Sequence, residues 1–352
     1  MLTMTSSKHK DRQRAASPVG ATATTALTVA YVVVLVLWQV LRRTVGEAAF
    51  PVMVLNYAGV WPFALTPLLA AWMGLSGNLR PLPLLALPLA LFAWRYGAQL
   101  LPPAPQAAAD AARISVLTHN VRFDNPHVGE LATAYLAVGA DVLALQEVMP
   151  QHERGLSEAL APVYPYRAYL PEAGLAVYSR HPLVEVQAIE LEPWPAQRMV
   201  VEADGRRLAL VNAHLTPVGV RRGVVGLQPG YLVRRAADRT AQAEAITQAL
   251  QGWEGPAVLA CDCNAPENSE VYARLTDALT DSFRVAGWGF GHSFLVPRGL
   301  EVDTAINLPV IRLDYLFYRG GLSPLTVDVL EESARSDHLP VLATFAWPSN
   351  NK

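Results

Sequence analysis

From Arg113 onward, short apolar runs alternate with polar breaks, and the runs predict strands. Residues 113–118 (RISVLT) alternate in the manner of a half-buried strand, and 141–146 (DVLALQ) reads as a short buried one. Strand-like runs follow at 174–178, 184–191, 197–203 and 207–213, and then at 257–261, 313–318 and 341–346. Helical spacing is found at 128–138 and 151–161. Residues 238–253 predict an amphipathic helix, with Ala241, Ala245, Ile246, Ala249 and Leu250 on one face. Many strands, few helices and mixed connection lengths point to a layered α/β domain in which sheet packs on sheet.

The first 112 residues follow a different pattern. Thr24–Leu41 and Phe50–Leu75 carry no charge, and Pro81–Leu101 is interrupted only by Arg95. A membrane-spanning helix needs ~20 apolar residues, and each run meets that length roughly. The expected organisation is a basic tail at 1–23 and a membrane segment at 24–101 with about three transmembrane helices. A Pro/Ala-rich linker at 102–112 and a catalytic domain at 113–347 follow. Lys8, Lys10, Arg12 and Arg14 precede the first run, and Arg80 would share their side. This bias predicts an integral protein of the cytoplasmic membrane with its catalytic domain outside the cytoplasm.

Charge narrows the function. Residues 113–352 hold 20 basic and 27 acidic side chains. A protein that grips long nucleic acid by its phosphates normally presents a basic surface, so this balance disfavours a tight or processive nuclease. Apart from Phe123, Tyr315 and Phe317, aromatics that could stack bases are lacking near the polar motifs. Cysteine adds little. Cys261 and Cys263, taken as part of an extended strand, would lie near the upper Cα separation for a disulfide, so they read as two small buried hydrophobes.

Candidate chemistry sits at the ends of the buried runs: Asn120, Glu147, His214, Asp262 with Asn264, Asp314, and Asp337 with His338. Acids, amides and imidazoles without a zinc-type Cys/His pattern suit a hard, oxygen-loving cation such as Mg2+ or Mn2+. Asp262 and Asn264 are two apart and would face the same side of an extended chain. Each residue alone reads as a turn, cap or structural histidine; together they form an ordered set.

The words THN (118–120), QEV (146–148), NAHLTP (212–217), CDCNAP (261–266), RLDYLF (312–317) and SDHLPV (336–341) occur in that order. In order and spacing the chain resembles the endonuclease/exonuclease/phosphatase superfamily, as a membrane-anchored bacterial-type member. The resemblance covers essentially all of 113–347. It implies a four-layer sandwich of two packed mixed β-sheets flanked by helices, here preceded by the transmembrane segment. It also implies roles: Glu147 as main metal ligand with Asn120 and Asp337 nearby, Asp262 to orient or deprotonate water, and Asn264 and His214 to hold phosphate oxygens. His338, oriented by Asp314, would stabilise the transition state. Some relatives pair the histidine equivalent to His214 with an extra acid, which this sequence does not identify.

The stretch 216–235 follows His214 and combines Val218, Val220, Val224, Val225, Leu227, Tyr231 and Leu232 with Arg221, Arg222, Arg234 and Arg235. It reads as a lip that dips into a bilayer and presents lipid phosphates, or else as a plain surface loop. The expected function is therefore a metal-dependent phosphoesterase acting on an envelope lipid or polyprenyl (pyro)phosphate, with the bilayer as partner and no protein partner. The alternatives are an anchored extracytoplasmic nuclease and a non-catalytic scaffold.

Overall fold

The computed structural model describes residues 18–103, 111–218, 228–296 and 307–348. They form two units: one runs to Thr44 and resumes at Val60–Ala98, and the other takes Val45–Gly59 and Gln99 onward.

The first unit consists of α1 (Pro18–Thr44), α3 (Leu65–Ser76) and α4 (Ala86–Tyr96) with their connecting 3₁₀ turns. Leu35, Trp38, Phe63, Met73 and Tyr96 make its interior, and the Tyr31 hydroxyl meets Thr66 Oγ1 at 2.7 Å. Leu27, Val33, Val34, Leu37 and Val40 of α1 stay exposed. Such an apolar stripe is costly in water and suits lipid. Among the described residues, α1 is the one helix long and apolar enough to cross a membrane unaided.

The expected second span is divided. Its first part is α2 (Phe50–Ala58), which ends at Gly59, whose φ of +58° needs a residue without Cβ. That part belongs to the second unit. Met53 packs on Leu232 and Ala236, with Phe50, Tyr57, Val218 and Tyr231 at the margin. Val218, Tyr231 and Leu232, expected in an exposed lip, therefore help to seat α2.

The second unit is built on two six-stranded sheets. One has the order β13 (Ser323–Val329), β14 (Val341–Ala346), β1 (Arg113–Asn120), β2 (Val142–Gln146), β4 (Leu175–Ser179), β3 (Tyr166–Leu170). The other runs β5 (Leu183–Ile189), β6 (Ala196–Ala203), β7 (Arg206–His214), β8 (Ala257–Asp262), β12 (Asp314–Arg319), β9 (Thr280–Asp281). In each sheet a central parallel pair, β1/β2 or β7/β8, is flanked by antiparallel strands. The central strands are buried on both faces, which explains their unbroken apolar runs.

Side chains such as Val116, Val142, Leu210, Val258 and Leu316 fill the space between the sheets. Helices α5 (Val128–Val138) and α6 (Pro150–Leu160) cover one outer face through Leu131, Tyr135, Leu156 and Leu160. Helices α7 (Pro229–Gln251) and α8 (Glu270–Thr276) cover the other through Ala243, Ile246, Leu250, Val271 and Leu275. Each such fully buried aliphatic side chain stabilises the fold by about 1.5–3 kcal/mol. The result is the expected four-layer sandwich. Helix α7 begins nine residues before the periodicity at 238. Strands β3 and β13, helix α8 and the hairpin β10 (Phe294–Val296) with β11 (Leu308–Ile311) had no legible pattern.

Candidate active site

Five strand ends converge. Asn120 closes β1, Glu147 follows β2, His214 closes β7, Asp262 closes β8 and Asp314 opens β12. On adjacent strands Asp262 stands opposite both His214 and Asp314 in register. The two sheets are bolted together just beneath. Gln146 Nε2 donates to Asn212 Oδ1 at 2.8 Å, and Asn212 Nδ2 donates to the Leu145 carbonyl at 3.1 Å. Both amides are fully buried, so breaking the bond would leave polar groups unsatisfied. This bolt fixes Glu147 relative to His214, because each lies one or two residues away.

The Asp262 carboxylate is the centre. It is wholly buried and accepts from Asn120 Nδ2 at 2.9 Å. Its Oδ2 lies 3.6 Å from His214 Nε2 and 3.8 Å from His338 Nε2. Asn264 donates its backbone N–H to Asp262 Oδ1 at 3.1 Å and its side-chain amide to the Leu215 carbonyl at 3.0 Å. Asp262 and Asn264 do not lie along one extended strand. The chain turns after Asp262, and Asn264 takes a left-handed φ of +47°. The same turn shortens the Cys261–Cys263 Cα distance to 5.2 Å, and the two cysteines form a disulfide. The expectation of two free buried thiols is thus corrected: it assumed the spacing of an extended chain.

On one side of Asp262, His338 Nδ1 meets Asp314 Oδ2 at 2.8 Å, and Ser293 Oγ donates to that same oxygen at 2.6 Å. Burial alone would push the His338 imidazole down. Asp314 and Asp262 outweigh it and hold its pKa well above the usual histidine value, so the ring carries a proton at neutral pH. His119 lies behind. Burial pushes its pKa down to about 3, so it stays neutral while its Nε2 faces the His338 carbonyl at 3.1 Å.

On the other side, Glu147 holds a φ of +56° and accepts the Phe123 N–H on Oε2 at 2.8 Å. Its Oε1 lies 3.8 Å from His214 Nε2. The acids that face His214 are therefore Glu147 and Asp262, members of the site rather than an extra residue. Burial pushes the Asp337 carboxyl up; His338 and Arg122 oppose this, while Glu147 adds to it.

Two features suit a divalent ion. His214 Nε2 and Asp314 Oδ1 are buried with no hydrogen-bond partner, and the carboxylates crowd without a neighbouring lysine or arginine close enough to pair with Glu147 or Asp262 among the described ion pairs. Hard oxygen donors of this type fit Mg2+ or Mn2+. Asp262, Asp314 and His338 also offer atoms within 4.8 Å of one another, which makes a possible three-ligand site. The 2.8 Å hydrogen bond between His338 and Asp314, however, occupies the imidazole nitrogen with a proton. Glu147 takes no part in that bond, and its Oε1 faces His214 Nε2 across 3.8 Å.

Aromatic rings border both histidines, contrary to the expectation from sequence. Trp194 Nε1 donates to the His214 carbonyl at 2.9 Å, and its ring lies 6.1 Å from the imidazole. Phe294 stands edge-on to His338 at 5.0 Å. Neither is near a polar motif in sequence; the fold brings them in. Of the four lip arginines, Arg221 and Arg222 lie outside the described residues. Arg234 is exposed at the start of α7, and Arg235 lies over the Tyr231 ring at 5.6 Å. Arg235 lines a cavity of about 400 Å³ with Glu190, Glu192 and Asp238, apart from the Asp262 cluster.

Residues 117–338 match the model of the Endonuclease/Exonuclease/phosphatase family. Nothing among curated proteins matches the chain. Similar solved structures include an endonuclease/exonuclease/phosphatase from Beutenbergia cavernae, 21% identical with a TM-score of 0.53, covering 67% of this chain and 72% of that one. A second, from Bacteroides vulgatus, is 18% identical with a TM-score of 0.54, covering 67% and 99%. TDP2 from D. rerio, complexed with a single-strand DNA product, is 18% identical with a TM-score of 0.52, covering 66% and 99%. At these identities the likeness is one of fold.

Proposed function

Because this chain belongs to the Endonuclease/Exonuclease/phosphatase family, whose members hydrolyse phosphate esters with a divalent metal ion, we propose that it is a membrane-anchored phosphoesterase that cleaves an envelope lipid phosphate or polyprenyl (pyro)phosphate by in-line attack of water. The observation that supports the substrate class is α1, a helix long and apolar enough to cross a membrane. Helix α1 ends at Thr44, and the 3₁₀ turn Gly46–Ala48 already belongs to the catalytic unit. A catalytic unit carried on the same chain as a membrane-spanning helix would be held to that membrane. A substrate in that surface is met at high effective concentration.

Glu147 would hold the ion, with Asn120 and Asp337 nearby; when bound, Mg2+ or Mn2+ neutralises phosphate charge and lowers the pKa of water. Asp262 accepts the proton of the attacking water, and Asn120 fixes that carboxylate. His214 and Asn264 face the non-bridging oxygens. Protonated His338, held by Asp314, faces the charge that builds up in the transition state. Replacing Glu147 with Gln should raise the Mg2+ concentration for half-maximal turnover by more than about tenfold. A Mg2+ titration that superimposes on wild type would remove Glu147 from the metal site.

The basic residues support one orientation. If α1 crosses the bilayer once, the chain that follows it emerges on the side opposite Lys8, Lys10, Arg12 and Arg14. These basic residues favour a cytoplasmic N-terminus, which supports catalysis outside the cytoplasm. A periplasm-dependent reporter fused after Lys352 should be active; activity only from a cytoplasm-dependent reporter would overturn this orientation.

A second reading, an anchored nuclease, is favoured by Trp194 and Phe294, which offer stacking faces beside the two histidines. The acidic balance of the catalytic segment weighs against it.

A further inference from the structure

The catalytic turn is held from outside the family-matched segment. Asn264 sits at φ +47°, in the left-handed region that Asn adopts more readily than other residues with a side chain, and its N–H, carbonyl and side-chain NH2 are all held. Its N–H and side-chain amide are bound by Asp262 and Leu215. Its carbonyl accepts the Tyr57 hydroxyl at 2.6 Å. The next carbonyl, that of Ala265, accepts the Tyr315 hydroxyl at 2.9 Å. Two tyrosines thus grip consecutive carbonyls of the turn, one from β12 and one from α2.

The α2 segment is anchored well enough to act as a brace. The Glu47 N–H donates to Glu270 Oε1 at 2.8 Å, and Asn56 Nδ2 donates to Glu47 Oε1 at 3.0 Å. Glu47, Asn56 and Met53 are buried. Arg239, also buried, donates to the Thr216 carbonyl at 3.1 Å and places its guanidinium 5.9 Å from the Tyr57 ring. Burial pushes the Tyr57 hydroxyl well up, so it remains a neutral donor at any working pH.

We propose that Tyr57 is a positioning residue of the hydrolytic centre, holding the Asn264 turn beside Asp262, so that the site is completed by the segment that lies in sequence between the apolar helices α1 and α3. The proposal rests on the reading of Asp262 and Asn264 as part of the hydrolytic centre. It gives residues 45–59 a role that no membrane anchor would need: the chain that follows α1 sets the geometry at the phosphate.

The test uses the full chain in detergent micelles and compares wild type with Tyr57→Phe, which removes one hydroxyl and keeps the ring. Amide exchange of peptides covering 262–268 is read beside those covering 257–261. Turnover of bis-p-nitrophenyl phosphate with Mg2+ is measured with His338→Ala as blank. The expected result is exchange about tenfold faster in 262–268 only, and kcat lower by about fivefold to tenfold with KM within about twofold. Unchanged exchange in 262–268 overturns the proposal, because Tyr57 then does not hold the turn. Faster exchange with wild-type kcat also overturns it, because the brace then does not position chemistry. If wild type turns over no faster than His338→Ala, the hydrolase reading fails, and with it the positioning role, even where the exchange data show Tyr57 gripping the turn.

Discussion

Substituting Asp262 by Asn lowers kcat by about a thousandfold while the protein keeps its fold, since a positioned general base supplies roughly 10²–10⁴ of rate and Asp262 also orients its neighbours. Four groups in the cleft refer to this carboxylate. Asn120 donates to it, Asn264 turns back onto it, and both His214 and His338 lie within 3.8 Å of it. The amide is nearly isosteric, so the packing around β8 is retained. What is lost is the charge that draws a proton from water and helps to keep His338 protonated. The variant should melt close to wild type, because the amide fills the same space in the buried end of β8. Circular dichroism melts run beside the kinetics check both halves. A variant that retains more than a tenth of wild-type kcat would remove Asp262 from its central place.

Replacing Arg312 with Leu destabilises the catalytic unit by about 3–5 kcal/mol, the usual cost of removing one partner from a buried ion pair. Arg312 is almost fully buried and makes two 2.7 Å bonds to Asp281, with a further 2.8 Å bond to Glu267. Arg284 also pairs with Glu267. Without Arg312, Asp281 loses its ion-pair partner, and Asp314, two residues on, loses the brace of its loop. The melting temperature should fall by about 10 °C.

The same cluster predicts acid sensitivity. Burial would push the Glu267 carboxyl up, but Arg284 and Arg312 outweigh it and hold its pKa below the usual 4.5. A depressed carboxyl contributes stability that is present above its unfolded pKa and is lost as pH falls through the folded value. Wild type should therefore lose stability below about pH 4.5, and Arg312→Leu should lose less across that window. A melting temperature for Arg312→Leu within about 2 °C of wild type at neutral pH would contradict the account.

How much of this could be read from the chain depends on whether the signal is local. Buried strands such as 142–146 and 257–262 are continuous apolar runs that end in one polar residue, so both strand and candidate ligand were visible together. The helical face around Ile246 and Leu250 was visible for the same reason. Strand order was not, because β1 pairs with both β2 and β14, and the latter lies more than two hundred residues away.

The site residues missed from sequence are those that act through partners remote in the chain. Arg312 stood inside a recognised word but gains meaning only from Asp281 and Glu267. Ser293, Trp194 and Phe294 lie in segments with no pattern. Tyr57 was hidden by composition: an uncharged run from Phe50 to Leu75 looks like one span. The cues to its division were Gly59 and the polar pair Glu47 and Asn56, and these become decisive only once Glu270 and Asn264 are beside them. Cys261 and Cys263 were misread because an extended chain was assumed where the turn at Asn264 shortens the distance.

The most direct measurement is hydrolysis by the full-length protein with Mg2+, comparing vesicles that carry polyprenyl or phospholipid phosphates with plasmid DNA, and Asp262→Asn as blank. The account predicts lipid phosphate turnover that disappears in the variant, with the plasmid left intact. Plasmid cutting that disappears in the variant while the lipids stay whole would contradict it and make this an anchored nuclease.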